Sequence, residues 1–382
     1  MMNALLIAFG YPVQYRALRC ASDAGMRVYV LGAEKASGLR FSRFCRRFVA
    51  IPATDRDNDG GKESQDAWLR RIEEYIKRFD IGVLIPADAP ATRLLAQLQG
   101  RLSVPSFPIP PLDTFETLND KWAFYHLCLQ LGLRTPKTWL FPDKPSILKA
   151  IAAGELPAKL IAKPLSEAGG MGIVPIDARN ATSELEPIDY EPILIQQYID
   201  GWHIGLSVFT AQGQVIAAVV HQILNQCFVF AANEEYVRFG EAIAAHMKTS
   251  GVMNFDAQLT PDGVLYLLEC NPRVYLTMDY TAIAGINMVE LGMRAWKGYP
   301  TTPLTVPNMG VRTPLGLVKA LVTPWKIQYS DLRMALFTLT DPLAFFLETK
   351  RLLTLRRLRA AKRTLARSEQ FKEPRKIPAR TR

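Results

Sequence analysis

The chain has no close pair of cysteines: Cys20, Cys45, Cys128, Cys227 and Cys270 are scattered and never spaced as C-x-x-C. An odd, dispersed set argues against a disulfide framework and against a cysteine zinc site, and fits a reducing, cytoplasmic setting. Long apolar runs are also missing. No window reaches the roughly 18 apolar residues a membrane span needs, because Asp341 and Pro342 interrupt the best candidate, MALFTLTDPLAFFL. The opening MMNALLIAFG has no basic residue ahead of its short apolar stretch and no small-residue cleavage site, so it reads as a first strand and not as a signal peptide. The loop that follows, FGYPVQYRA, lacks G-x-G-x-x-G, and no glycine-rich loop ends in G-K-[ST], which argues against a dinucleotide fingerprint and against a Walker-type loop.

What is present is an ordinary globular composition, 49% hydrophobic and 21% charged over 382 residues, enough for two or three packed domains. The formal charge of +10 is a property of one end. Residues 350–382 hold 13 of the 46 Lys and Arg but only 2 of the 36 acids, which leaves residues 1–349 at net −1. Up to about Ser368 this tail reads as a helix, with Leu352, Leu355, Leu358 and Leu365 at helical spacing. It reads first as a solvated helix packed on its own body; contact with an anionic membrane surface or a protein is the sharper alternative, and nucleic acid is not expected.

The first hundred residues alternate strand and helix patterns, NALLIAFG, MRVYVLG and IGVLIPA being the strands. WLRRIEEYIKRF is an amphipathic helix with Trp68, Ile72, Ile76 and Phe79 on one face. Such alternation predicts a parallel α/β sheet. The proline-rich stretch at 104–113 reads as a linker, so a domain boundary is expected near residue 110. Beyond it the pattern changes to helices followed by hairpins. AQGQ (211–214) separates IGLSVFT from VIAAVVHQIL, and TPDG (260–263) separates NFDAQL from VLYLLEC.

That second hairpin carries the most informative residues. A four-residue TPDG turn pairs Leu259 with Val264 and sets Asp256 on the face of Glu269 and Asn271. Two carboxylates so close need a counter-charge, and oxygen-only ligands suit Mg²⁺ or Mn²⁺. Upstream, LIAKPLSEAGGMGIVPI puts Lys163 on a strand before a glycine-rich loop whose backbone N–H groups could face a phosphate. Lys121, in LNDKW, opens a helix.

In this order the pieces resemble the ATP-grasp superfamily, in particular its branch similar to carbamoyl-phosphate synthase large subunits and biotin carboxylase. The resemblance covers roughly residues 1–300. It implies a Rossmann-like preATP-grasp α/β domain at 1–110 and a two-lobed ATP-grasp domain with antiparallel sheets at 111–300, its lid near 138–198. A C-terminal extension with a basic helical tail follows at 301–382. It further implies that Lys121 and Lys163 contact ATP phosphates, and that the loop with Ser166, Gly169, Gly170, Met171 and Gly172 closes over them. Adenine would be held around Gln196, Gln197, Tyr198 and Ile199, and His203 would contact the nucleotide. Asp256, Glu269 and Asn271 would bind the metal ions, while Arg273, with Lys163, would serve the reacting groups. Glutamine stands at 196 and 197 where relatives usually carry a glutamate. Any substrate selection in the short segment after VIAAVVHQIL is left to Asn225, Gln226 and Phe228.

The activity implied is that of an ATP-dependent, ADP-forming carboxylate-amine ligase acting on small molecules through an acyl phosphate. Bicarbonate activation and a non-catalytic ATP-binding module docked through the tail are the alternatives. A homo-oligomer is compatible with the sequence.

Overall fold

The computed structural model describes residues 1–10, 13–51, 62–166, 170–299, 304–320, 324–347, 349–350 and 354. Contacts divide the chain into two compact units, a larger one of Met1–Phe115, Gly205–Asn254 and Asn271–Leu352, and a smaller one built from Glu116–Ile204 and Phe255–Cys270.

The larger unit begins with β1 (Asn3–Ala8), α1 (Val13–Asp23), β2 (Arg27–Gly32), β3 (Cys45–Ala50), α2 (Lys62–Phe79), β4 (Val83–Pro86) and α3 (Ala89–Gln97). The four strands form a parallel sheet of order β3-β2-β1-β4. β1 is apolar and buried from Ala4 to Ala8 because both of its faces are covered. Leu5 and Ile7 join a core with Trp68, Ile72 and Ile76 of α2, while Ala4, Leu6 and Ala8 join another with Tyr15 and Leu18 of α1. The α2 stripe is thus buried as its spacing predicts. β3 has no counterpart among the expected strands, since CRRFVA is a half-exposed edge strand with two arginines.

Next come α4 (Leu112–Asn119), inside what reads as the end of a linker, then α5 (Lys121–Gln130), β5 (Thr138–Phe141), α6 (Lys144–Ala152), β6 (Lys159–Lys163), β7 (Val174–Asp177), α7 (Ala181–Leu185) and β8 (Ile193–Gln197). β5 to β8 make an antiparallel sheet of order β5-β8-β6-β7. One of its faces packs Leu160, Ala162, Ile176, Ile193 and Ile195 against Ile147 of α6 and Leu185 of α7. Alternation then sends Ile161, Lys163, Leu194 and Gln196 to the other face.

The rest comprises β9 (Trp202–Ala211), β10 (Gln214–Leu224), β11 (Cys227–Phe230), α8 (Glu234–Met247), β12 (Gly251–Leu259), β13 (Leu265–Asn271), α9 (Met278–Ile283), α10 (Met288–Trp296), β14 (Leu304–Thr305), β15 (Met309–Arg312), α11 (Pro314–Ala320) and α12 (Tyr329–Leu339). AQGQ is a two-residue hairpin as expected: Ala211 pairs with Gln214, and Gln212 and Gly213 take φ of 50° and 81°, the left-handed pair that matches strand twist. A second such turn at Asn225 and Gln226, φ 48° and 64°, creates β11, a strand absent from the sequence reading. It buries Phe228, its ring centroid 3.9 Å from that of Tyr280, so Phe228 is a core residue.

Among the described residues, no helix is long and apolar enough to cross a membrane. Gly169 and nearly all of the basic tail expected as a helix to 368 lie outside the described residues.

Candidate active site

The face of the smaller unit's sheet turned away from its helices carries Lys163 and Gln196. β6 pairs Ile161 with Gln196, which brings the Lys163 Nζ within 2.8 Å of the Gln196 Oε1. The Gln196 Nε2 in turn donates to the Thr138 Oγ1 at 3.1 Å. Gln196 is therefore held at both ends of its amide, an arrangement that fixes which end faces the lysine. Thr138 was not singled out in the sequence, where only a cross-strand pairing could have revealed it.

Lys121 reaches the same unit's cluster from α5. Asp120 caps that helix by accepting from the N–H groups of Trp122 and Ala123, so Lys121 is its first residue. Its backbone N–H donates to the Leu165 carbonyl at 3.2 Å, and its Nζ lies 3.4 Å from the Glu269 Oε2.

The acid hairpin departs from the expected register. Thr260 N donates to the Val264 carbonyl at 2.9 Å, and Gly263 N to the Thr260 carbonyl at 2.9 Å, with Gly263 at φ 87°. Thr260 therefore faces Val264, one residue beyond the Leu259 to Val264 pairing that TPDG suggests. Regular extension of this ladder would set Asp256 opposite Leu268 and turn it away from Glu269. Asp256 nonetheless acts on the Glu269 carboxyl, pushing it upward. Burial along β13 shows where the phase changes: it alternates from Leu265 to Leu268, then Leu268 and Glu269 are both half-exposed before Cys270 is buried again. The exposure pattern therefore breaks phase between Leu268 and Glu269.

His203, at the start of β9, closes the group with its Nε2 3.4 Å from the Asp256 Oδ1. Lys121, Lys163, Gln196, His203, Asp256 and Glu269 thus meet in one unit.

The electrostatics follow from crowding. Burial raises the Glu269 carboxyl above its ordinary range; Lys121 and Lys163 pull it back, while Asp256 pushes it further up. Burial lowers Lys163, with Lys121 adding to the effect and Glu269 and Asp256 opposing it. For His203 burial alone would lower the value, but the hydrogen bond and charge of Asp256 outweigh it and the net shift is upward. Among the described residues no three His, Cys, Asp or Glu side chains gather as a metal site. A cation here would have two carboxylates and would draw its other oxygens from an amide, water or a bound phosphate, a set that suits Mg²⁺.

Around this cluster, Ser166, Gly170 and Met171 are exposed. Gly170 and Gly172 take φ of 73° and 70°, and a Cβ on Gly172 would press on Pro164 and Tyr190 at 3.1 Å. The Tyr190 hydroxyl donates to the Gly172 carbonyl at 2.6 Å, pinning one end of the loop. At the end of β8 the N–H groups of Gln197 and Tyr198 donate to the carbonyls of Lys137 and Lys159.

Beyond Glu269 the chain enters the larger unit. There Arg273 donates through Nη2 to the Asn271 Oδ1 at 2.7 Å and through Nη1 to the Val274 carbonyl at 3.1 Å. Burial raises the Asp88 carboxyl against hydrogen bonds from Ala91, Gln14 and Phe9 and, least of all, the charge of Arg273.

The family model described as "ATP-grasp in the biosynthetic pathway with Ter operon" matches residues 189–313. Over 206 residues the chain is 24% identical to the carbamoyl phosphate synthase arginine-specific large chain of Bacillus subtilis (strain 168), which is 49% of this chain and 20% of that one. The chain therefore spans about a fifth of that relative's length. An N5-carboxyaminoimidazole ribonucleotide synthetase in complex with ADP is similar at a TM-score of 0.62 and 15% identity, over 79% of each chain. The biotin carboxylase domain of the Hydrogenobacter thermophilus 2-oxoglutarate carboxylase, with MgADP and bicarbonate, is similar at 0.58 and 18% identity, over 78% of this chain and 70% of that one. An L-amino acid ligase from Bacillus licheniformis is similar at 0.56 and 18% identity, over 77% and 74%. At these identities the likeness is one of architecture, and it spans more than three quarters of the chain: the protein has the ATP-grasp fold.

Proposed function

We propose that the protein is an ATP-dependent ligase that activates a carboxylate as an acyl phosphate and passes the acyl group to an amine, releasing ADP and phosphate. The observation that carries this reading is the meeting of Lys121, Lys163, Asp256 and Glu269 in one unit. Two buried cations beside two carboxylates match the charges of Mg·ATP, the acids holding the cation and the lysines the phosphate oxygens. Asp256 and Glu269 would hold Mg²⁺, which would supply neutralisation of the phosphate charge.

In the reaction, an oxygen of the substrate carboxylate attacks the γ-phosphorus and the bond to the ADP oxygen breaks. The amine nitrogen then attacks the acyl carbon, the bond to phosphate oxygen breaks, and the nitrogen gives up a proton. Lys121 and Lys163 offset the charge that develops on the transferring group. Arg273, braced by Asn271, would steady the carboxylate or acyl phosphate, and Asn271 would offer its amide oxygen to a metal ion. Gln196 fixes Lys163, His203 and the Ile199 N–H face the nucleoside, and the loop around Gly170 to Gly172 closes to keep water from the acyl phosphate. No cysteine or histidine nucleophile is required.

The test is ADP release with Mg²⁺ and a panel of carboxylates and amines. Turnover is expected only with Mg²⁺ and a matched pair of substrates, and Glu269→Ala should lower it by ~100-fold or more. Absence of ATP binding at millimolar ATP, or turnover that survives Glu269→Ala, would overturn the reading. The match to a carbamoyl phosphate synthase chain favours one second reading, in which bicarbonate is the acid. It predicts ADP release that depends on bicarbonate with no other carboxylate added.

A further inference from the structure

Helix α12 is apolar on both sides, and among the described residues only one side is covered. Met334 and Phe337 are buried in the larger unit's core, and polar contacts on that side lock the helix in place. The Phe337 carbonyl accepts from the Arg19 Nη1 at 2.8 Å, Asp331 is ion-paired with Arg312, and Asp341 accepts from the Ser42 Oγ at 2.5 Å and from the Arg43 N–H at 3.1 Å.

The outward side carries Tyr329, Leu332, Leu336 and Leu339, continued by Leu343 and Phe346 on the helical turn at 342–347. Their spacing of three and four residues makes a single stripe. Tyr329 is 77% exposed, Leu339 73%, and Trp325 just ahead of the helix 78%. Leu315 and Val318 of neighbouring α11 are exposed as well. Soluble proteins scatter exposed apolar residues singly, whereas an ordered stripe of this length marks a contact surface.

The sequence next to the stripe indicates what the surface contacts. Residues 350–382 carry 13 Lys and Arg against 2 acids. A second copy of the chain would bring an equal charge alongside, and repulsion opposes that pairing. A negatively charged surface is favoured instead. Trp and Tyr at one end of an apolar helix face, with clustered Lys and Arg following in the sequence, is the pattern of a helix lying in the headgroup layer.

We propose that the outward stripe of α12, together with the basic sequence that follows it, seats the protein on an anionic lipid bilayer without crossing it.

The experiment uses the full chain and phosphatidylcholine vesicles with and without phosphatidylglycerol, separated by flotation. The protein is expected to float with the anionic vesicles at least ~10-fold better than with neutral ones and to lose much of this in high salt. The double substitution Leu336→Glu and Leu339→Glu should abolish flotation with circular dichroism and melting temperature unchanged, since both side chains face outward. The pair Leu336→Ala and Leu339→Ala, which removes area without adding charge, should bind at an intermediate level. Protein that stays unbound with both vesicle types would overturn the proposal, as would flotation unaffected by the glutamate pair. So would a dimer in sedimentation velocity that the glutamate pair dissolves while vesicles fail to bind, because the stripe would then be covered by a second copy.

Discussion

The Glu269 carboxyl sits in a crowd of charge, where burial and Asp256 push it upward and Lys121 and Lys163 oppose them. Its consequence for stability has a definite sign. The Glu269 value in the fold lies above its ordinary 4.5, so the folded state binds more protons than the unfolded state in the window above 4.5, and stability falls as pH rises through it. Glu269→Gln, which keeps the shape and removes the charge, should therefore stabilise the ligand-free protein at neutral pH, with the gain disappearing below about pH 4.5. Urea denaturation of the two proteins across pH checks this, and a variant less stable at every pH would contradict it. The same change should weaken Mg·ATP binding, the exchange of stability for function seen where like charges are held together for a ligand. At this scale the sequence was legible in its residue types. E-x-N-P-R and the two lysines announce the chemistry, whereas the grip of Thr138 on Gln196 depends on strand pairing that no local pattern encodes.

At the scale of elements, turns were legible to within one residue. TPDG announces a hairpin, but both the N–H and the hydroxyl of Thr260 engage Val264, which moves the pairing by one place, and the exposure pattern breaks phase again at Leu268 to Glu269. An alternating pattern read as an unbroken ladder cannot show either shift. The missed β3 fails for another reason: an edge strand meets water, and its arginines hide the pattern that the buried strands display. Two glycines separate conformation from packing. Gly263 sits at φ 87° with open space around it, while a Cβ on Gly201 would meet the Leu259 carbonyl oxygen at 2.1 Å. Gly263→Ala should cost ~1 kcal/mol through backbone conformation alone. Gly201→Ala, where backbone must move, should cost about 2 kcal/mol more. Equal midpoints in urea for the two variants would contradict this reading of the hairpin.

For the whole molecule, the order of the parts carried more than any part alone. Alternating strands and helices, then a lysine strand before a glycine loop, then an acid hairpin, led to the fold that the solved structures share with this chain. The formal charge of +10 was misleading until it was located, since residues 1–349 are close to neutral. The outward stripe of α12 escaped notice because a helix with two apolar sides reads in sequence as a buried one. What the fold alone leaves to chemistry is the path of the oxygen atoms. With a carboxylate substrate labelled with ¹⁸O, an acyl-phosphate route transfers one labelled oxygen to the phosphate released in each turnover, because the oxygen that attacks the γ-phosphorus leaves with it. Labelled phosphate formed alongside ADP and the amide is the predicted result, and unlabelled phosphate would contradict the route.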